Sequence, residues 1–175
     1  RKPLCNKIFF AGSTIASVSQ SWMLGRYIIG LAEGTGYTVF AAAIAMCLPA
    51  AYVLLGAGWL IMKTEGELQR QAVRWARLAW SPVVLGMLLI SLATPWVSEM
   101  VRERWFSMPE FIALLPIPLS TAIALVTTYS VLKSRRVMAE LCWLPFTLVL
   151  MVFLLGGLGL AYSLYPFVVV NQLTI

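Results

Sequence analysis

The sequence contains no histidine and no aspartate, has three cysteines, and carries charge on 11% of its 175 residues. A soluble domain is about 25% charged, so the chain is not an ordinary water-soluble globule. Without imidazole, and with Cys5, Cys47 and Cys142 far apart, it lacks the usual means of ligating haem, zinc, copper or an iron–sulfur cluster. Any redox metal must then sit on a partner. The cysteines read as small apolar residues in or beside apolar runs, rather than as disulfide partners or metal ligands. All seven acids are glutamates, at 33, 65, 67, 99, 103, 110 and 140, and none lies midway along an apolar run. That argues against a hydrolase built on paired carboxylates.

What the chain has instead is hydrocarbon: 61% of its residues are hydrophobic. A bilayer core about 30 Å thick needs about 20 apolar helical residues. Runs of that size, bounded by charge, occur at 8–25, 38–62, 80–97, 111–132 and 141–162. The expected fold class is therefore all-α, a polytopic transmembrane helical bundle of about five spans forming a single domain over 1–175. The first run is the least apolar, since it holds Gln20 and several serines and threonines. The second is long enough to tilt or to kink at Pro49. Pro82, Pro95, Pro116, Pro118 and Pro145 fall near run ends, where a missing N–H costs little.

Basic residues set the orientation, because short cytoplasmic loops are enriched in them. Arg1, Lys2, Lys7, Lys63, Arg70, Arg74, Arg77, Lys133, Arg135 and Arg136 fall on one side, against Arg26, Arg102 and Arg104 on the other. The first side is expected to be cytoplasmic, with the N-terminus inside. The net charge of +6 is then explained by loops facing anionic lipid, and no nucleic-acid partner is implied.

Polar groups inside the runs are few. Gly12, Ala16 and Gln20 share one helical stripe, with Ser13, Ser17 and Ser21 beside it, which predicts a packing face. Gln20 reads either as a position along a proton or water path or as interhelical glue, since an amide in hydrocarbon must find a partner. Arg26 would snorkel to the outer surface or meet a partner chain. Gly30, Gly34 and Gly36 resemble a phosphate loop only loosely, with no preceding strand and no following Lys-Ser or Lys-Thr, and read as an outer turn. Gly156, Gly157 and Gly159 read as packing positions in the fifth run.

The loop from Lys63 to Arg77 is the densest polar stretch. Thr64 and Glu67 fit a capping box, so a helix is expected to start near Glu65 and cover 64–77 at the cytoplasmic interface, with Arg70, Arg74 and Arg77 on one face. Leu68, Val73 and Trp75 give that helix an apolar side. Near the other end, Asn171 or Thr174 would cap a following helix, which predicts a longer parent chain.

The run Gly56-Ala57-Gly58-Trp59-Leu60-Ile61-Met62-Lys63-Thr64-Glu65-Gly66-Glu67-Leu68-Gln69 closely resembles the signature of subunit II of cytochrome bd-type quinol oxidases, particularly the cyanide-insensitive branch. Phe10-Ala11-Gly12-Ser13 with Gln20 and Leu24-Gly25, and Tyr165-Pro166-Phe167-Val168 followed by Asn171-Gln172-Leu173-Thr174-Ile175, are similar to the same family in the same order. Lys63, Thr64, Glu65, Gly66 and Glu67 form the family-signature loop. Cys5 stands where the family usually has Trp, Ser21 where it has Gly, and Val170 where it has Pro. The resemblance implies a piece lacking both termini of the subunit, and the family's proton-delivering acids would precede this chain's first residue.

It further implies the non-haem subunit of a ubiquinol oxidase in a bacterial inner membrane, a complex that reduces dioxygen to water in aerobic respiratory electron transport. Haem b and haem d, or a b-type replacement, would belong to subunit I, the main partner. No cofactor is expected on this chain beyond a structural quinone, and no complete active site. A small accessory subunit is a further partner the resemblance admits, with quinol the substrate of the complex. Two other readings remain at this point. A transporter subunit would show repeated halves and interrupted helices, of which Pro49 is the one candidate; a structural scaffold would show packing faces alone.

Overall fold

The computed structural model describes residues 2–29, 31, 33–97, 115–164, 167–169 and 173–174. Five α-helices account for nearly all of them: α1 (Lys2–Ile28), α2 (Thr35–Lys63), α3 (Glu67–Val97), α4 (Pro116–Lys133) and α5 (Leu144–Leu164). A short 3-10 helix, Arg135–Met138, joins α4 to α5. Two short strands, β1 (Phe167–Val169) and β2 (Leu173–Thr174), pair antiparallel with an irregular register. The fold is an all-α helical bundle. Among the described residues, three helical segments are long and apolar enough to cross a membrane: Thr35–Lys63, Glu67–Leu92 and Leu144–Tyr162, with mean hydropathy 2.2, 1.5 and 2.3.

α2 is the centre of the bundle, packing against α1, α3 and α5, while α4 packs on α5 and α3. The sequence explains how one helix can hold three neighbours. Its inward positions are small at each crossing, so backbones approach and dispersion contacts replace the hydrophobic drive that hydrocarbon does not supply. A methyl on Gly25 of α1 would lie 2.8 Å from Ala41 Cα of α2, and one on Gly58 of α2 would lie 3.1 Å from Phe146 Cα of α5. A methyl on Gly86 of α3 would lie 2.5 Å from Cys47 Cβ of α2. Around these crossings Leu54, Ala57, Ile61, Ala72, Ala76, Leu132, Val137 and Val149 form one buried cluster. Large side chains such as Phe9, Met46 and Leu78 point outward and are 77%, 76% and 73% exposed, as suits a surface solvated by lipid or covered by another chain.

Several expectations are corrected. The separate interfacial helix over 64–77 does not exist as such: α3 begins at Glu67 and runs unbroken through Arg77 and Pro82. Pro82 is therefore interior to a helix. The carbonyl that its missing N–H would have met, on Leu78, lies 3.4 Å from the Ser81 hydroxyl, which donates to it. The capping box also fails, because the Thr64 hydroxyl donates backwards to Leu60 O at 2.7 Å and Thr64 is the C-cap of α2. In the first run, the stripe that packs on α2 is Ser17, Ser21 and Gly25. Gly12, Ala16 and Gln20 are exposed, with nothing within 4 Å of a methyl added at Gly12. Thr174 lies in β2, not at a helix start. Gly30, the start of the fourth run at 111–114, and Tyr165, Pro166, Val170, Asn171, Gln172 and Ile175 lie outside the described residues.

Candidate functional site

Among the described residues, polar side chains that join one helix to another are found in three places. The first is the α2–α3 turn, which carries the signature residues. α2 leaves carbonyls unpaired at its C-terminus, as every helix does, and the turn satisfies them from both directions. The Thr64 N–H and hydroxyl both donate to Leu60 O, while Gln69, buried on α3, donates through Nε2 to Ile61 O at 2.9 Å. Gly66 adopts φ +71°, a conformation that costs an L-residue about 1–2 kcal/mol, which accounts for glycine there. Lys63, exposed like Glu65 and Glu67, sits 5.3 Å from the centroid of the Trp59 ring, and that ring meets Phe146 edge-on at 5.2 Å. The signature is thus a rigid hairpin that fixes α2 against α3 and α5.

The second place lies where α3 meets the end of α4. Arg77 donates through Nε and Nη2 to Leu132 O, at 3.0 and 2.5 Å, and so caps the C-terminus of α4 with positive charge, where the helix dipole favours it. One turn further along α3, Trp80 donates its indole N–H to Leu125 O at 3.0 Å and stacks on Tyr129 at 4.6 Å. Lys133 Nζ lies 4.4 Å over the same Tyr129 ring. The sequence placed Arg77 on a short basic helix at the membrane interface; a buried carbonyl 55 residues away gave no local signal.

The third is a cleft of about 300 Å3 between α1 and α2, lined by Gln20, Met23, Leu24, Tyr27, Leu48 and Tyr52. Gln20 is exposed on α1. The Tyr52 hydroxyl donates to Gln20 Oε1 at 3.5 Å, and the Tyr52 ring stacks at 6.0 Å on Phe153 of α5. Tyr52 was missed in the sequence, although a phenol near the middle of the second run was the available signal. Two of the serines singled out beside Gln20 are satisfied locally: Ser21, fully buried, donates to Ser17 O at 2.6 Å, and Ser17 donates to Thr14 O at 2.9 Å. At the turn between α1 and α2, Arg26 Nη2 donates to Leu31 O at 3.1 Å.

None of these places offers a redox metal its usual ligands. The chain has no imidazole. Its thiols stand apart, with Cys5 exposed on α1, Cys47 within α2 and Cys142 before α5, and no group of three or more His, Cys, Asp or Glu that could hold a metal occurs among the described residues. Small-residue helix crossings and long apolar helices with outward-facing large side chains define a membrane-embedded helical bundle. The chain belongs to the family of cytochrome bd terminal oxidase subunit II, which it matches over residues 1–175. It is accordingly a subunit of a respiratory oxidase and a membrane protein, with an oxidoreductase role exercised through a complex whose haems sit mainly on other subunits. No curated protein and no solved structure matches it.

Proposed function

We propose that this chain is the non-haem subunit of a quinol:oxygen oxidoreductase in a bacterial inner membrane, bound to a haem-carrying subunit I that reduces dioxygen to water with electrons from ubiquinol. The family match along the whole of 1–175 carries this reading. All five helices span the bilayer as one domain. The end that bears Lys63, Arg70, Arg74, Lys133, Arg135 and Arg136 faces the cytoplasm, as the basic side of a short-looped bundle should. The uncovered face of α1, with Phe9, Phe10, Gly12 and Ile15 exposed, is turned toward other helices of the complex. No repeated halves are evident, and the helix through Pro49 is continuous, so nothing favours a transporter.

Reduction of dioxygen consumes protons, and a hydrated polar path must bring them across part of the membrane. Gln20 and Tyr52 are the polar pair of the α1–α2 cleft and are assigned to that path. The same residues suit a structural quinone, since an amide and a phenol offer hydrogen bonds to ring carbonyls while Met23, Leu24 and Leu48 supply an apolar lining. Gln20→Leu in the full-length protein is expected to slow quinol-dependent oxygen uptake while leaving the haem absorbance of the complex intact. Turnover equal to the parent protein's at every external pH would remove Gln20 from the path.

A further inference from the structure

We propose that the basic end of the α3–α4 pair is a docking surface for the headgroups of anionic phospholipid. The two hydrogen bonds from Arg77 to Leu132 O fix the first third of α3 against the end of α4. From that point α3 continues outward to Glu67, carrying Arg74 and Arg70 on the same face as Arg77 at helical spacing. The chain beyond Leu132 brings Lys133, Arg135 and Arg136 to the same end. Arg70, Arg74, Arg135 and Arg136 are exposed, and among the described residues no carboxylate is in ion-pair contact with any of them. Glu65, Glu67 and Glu140 are exposed at the same end but are fewer than the cations and pair with none of these arginines, so the net positive charge left there calls for an anionic surface.

The neighbouring residues specify which anion. Beside the arginine stripe, α3 exposes an apolar stripe of Leu68, Trp75, Leu78, Leu85, Leu89 and Leu92, at spacings that keep them on one side of the helix. The two stripes run side by side, so phosphate oxygens meet guanidinium groups while acyl chains lie along leucines. Trp75 lies on the apolar stripe at the axial level of Arg74, and indole is favoured at the headgroup level of a bilayer. On α4, the Lys133 ammonium is held over Tyr129, and Tyr129 is held by Trp80, which keeps that cation at the edge of the apolar zone. A free anion would use the first stripe alone; a phospholipid uses both. The surface stands on membrane placement and charge, and holds whether or not the chain works in an oxidase.

The test is native mass spectrometry of the full-length protein in its complex, released from nanodiscs of mixed phosphatidylglycerol and phosphatidylcholine. A juxtamembrane cation contributes about fivefold to anionic-lipid binding, so Arg70→Gln with Arg74→Gln should lower retention of phosphatidylglycerol over phosphatidylcholine by about 25-fold. Arg70→Lys with Arg74→Lys should keep most of it. Both positions are exposed, and an unaltered elution profile of the complex checks that the fold is kept. Retention of phosphatidylglycerol by the Gln variant equal to the parent's overturns the proposal. So does displacement of the lipid by millimolar inorganic phosphate, which would make this a site for free anions.

Discussion

The packing of α3 on α2 at Gly86 makes a quantitative prediction. A methyl on Gly86 would stand 2.5 Å from Cys47 Cβ, 3.3 Å from Cys47 Sγ and 3.9 Å from Cys47 Cα. Carbon atoms settle at about 3.5–4.0 Å, so Gly86→Ala forces α2 and α3 apart or bends one of them. Overpacking of this kind costs about 1–3 kcal/mol, whereas the same substitution on an open helix surface gains about 1 kcal/mol of helix propensity. The expected net effect is a loss of up to about 2 kcal/mol. Cys47→Gly alone should cost about 1–2 kcal/mol through lost propensity and packing. Combined, the two changes exchange the side chains: Cβ and Sγ of residue 47 are gone, and the nearest remaining atom is Cα at 3.9 Å, an ordinary contact. The double variant should therefore be more stable than the sum of the single ones by about 1–2 kcal/mol. The assay is equilibrium unfolding of the full-length protein in mixed micelles, followed by tryptophan fluorescence. Additivity within about 0.5 kcal/mol, or a stabilised Gly86→Ala, would refute the packing of α2 on α3 described above.

Gly12 gives the opposite case: with nothing within 4 Å of an added methyl, Gly12→Leu should leave the chain's own unfolding midpoint unchanged but reduce co-purification of its partner. Gln69→Leu leaves the Ile61 carbonyl without its donor at 2.9 Å and should cost about 1–3 kcal/mol, read by the same unfolding assay. Arg77→Met removes both hydrogen bonds to Leu132 O and should cost about 2–3 kcal/mol, with proteolysis increased at the exposed Arg135–Arg136 bond. Gly66→Ala, at φ +71°, should cost about 1–2 kcal/mol, and Gly66→Asn less, because asparagine tolerates that region; equal losses would show that the turn does not require it.

The helices were legible because apolar runs bounded by charge have few alternatives. The boundaries were not, and each miss has its own physical cause. The arginines at 70, 74 and 77 resembled a surface helix because their local sequence is amphipathic, but α3 continues through Pro82, where Ser81 donates to the carbonyl that proline leaves unmet. Thr64 fitted a capping box by spacing, yet a threonine hydroxyl serves equally well at the end of the preceding helix, and here it donates to Leu60 O. In sequence the Gly12 stripe reads as a packing face without a stated partner; within this chain the tight approach is made one residue-face over, where Gly25 meets Ala41, and the Gly12 stripe is exposed. Of the polar cleft, Gln20 was visible as an amide in an apolar run, but its neighbour Tyr52 lies 32 residues away, and no local pattern joins them. The signature loop was recognisable as a string; its work, capping α2 through Thr64 and Gln69, emerged only from the geometry.

Affinity purification of the full-length protein from native membranes, followed by a reduced-minus-oxidised absorbance spectrum and a quinol-dependent oxygen-uptake assay, tests the central claim most directly. A co-purifying subunit with haem bands, consuming oxygen when quinol is supplied, is the predicted result. Recovery of the protein without haem and without uptake, from membranes in which other respiratory complexes remain intact, would contradict it.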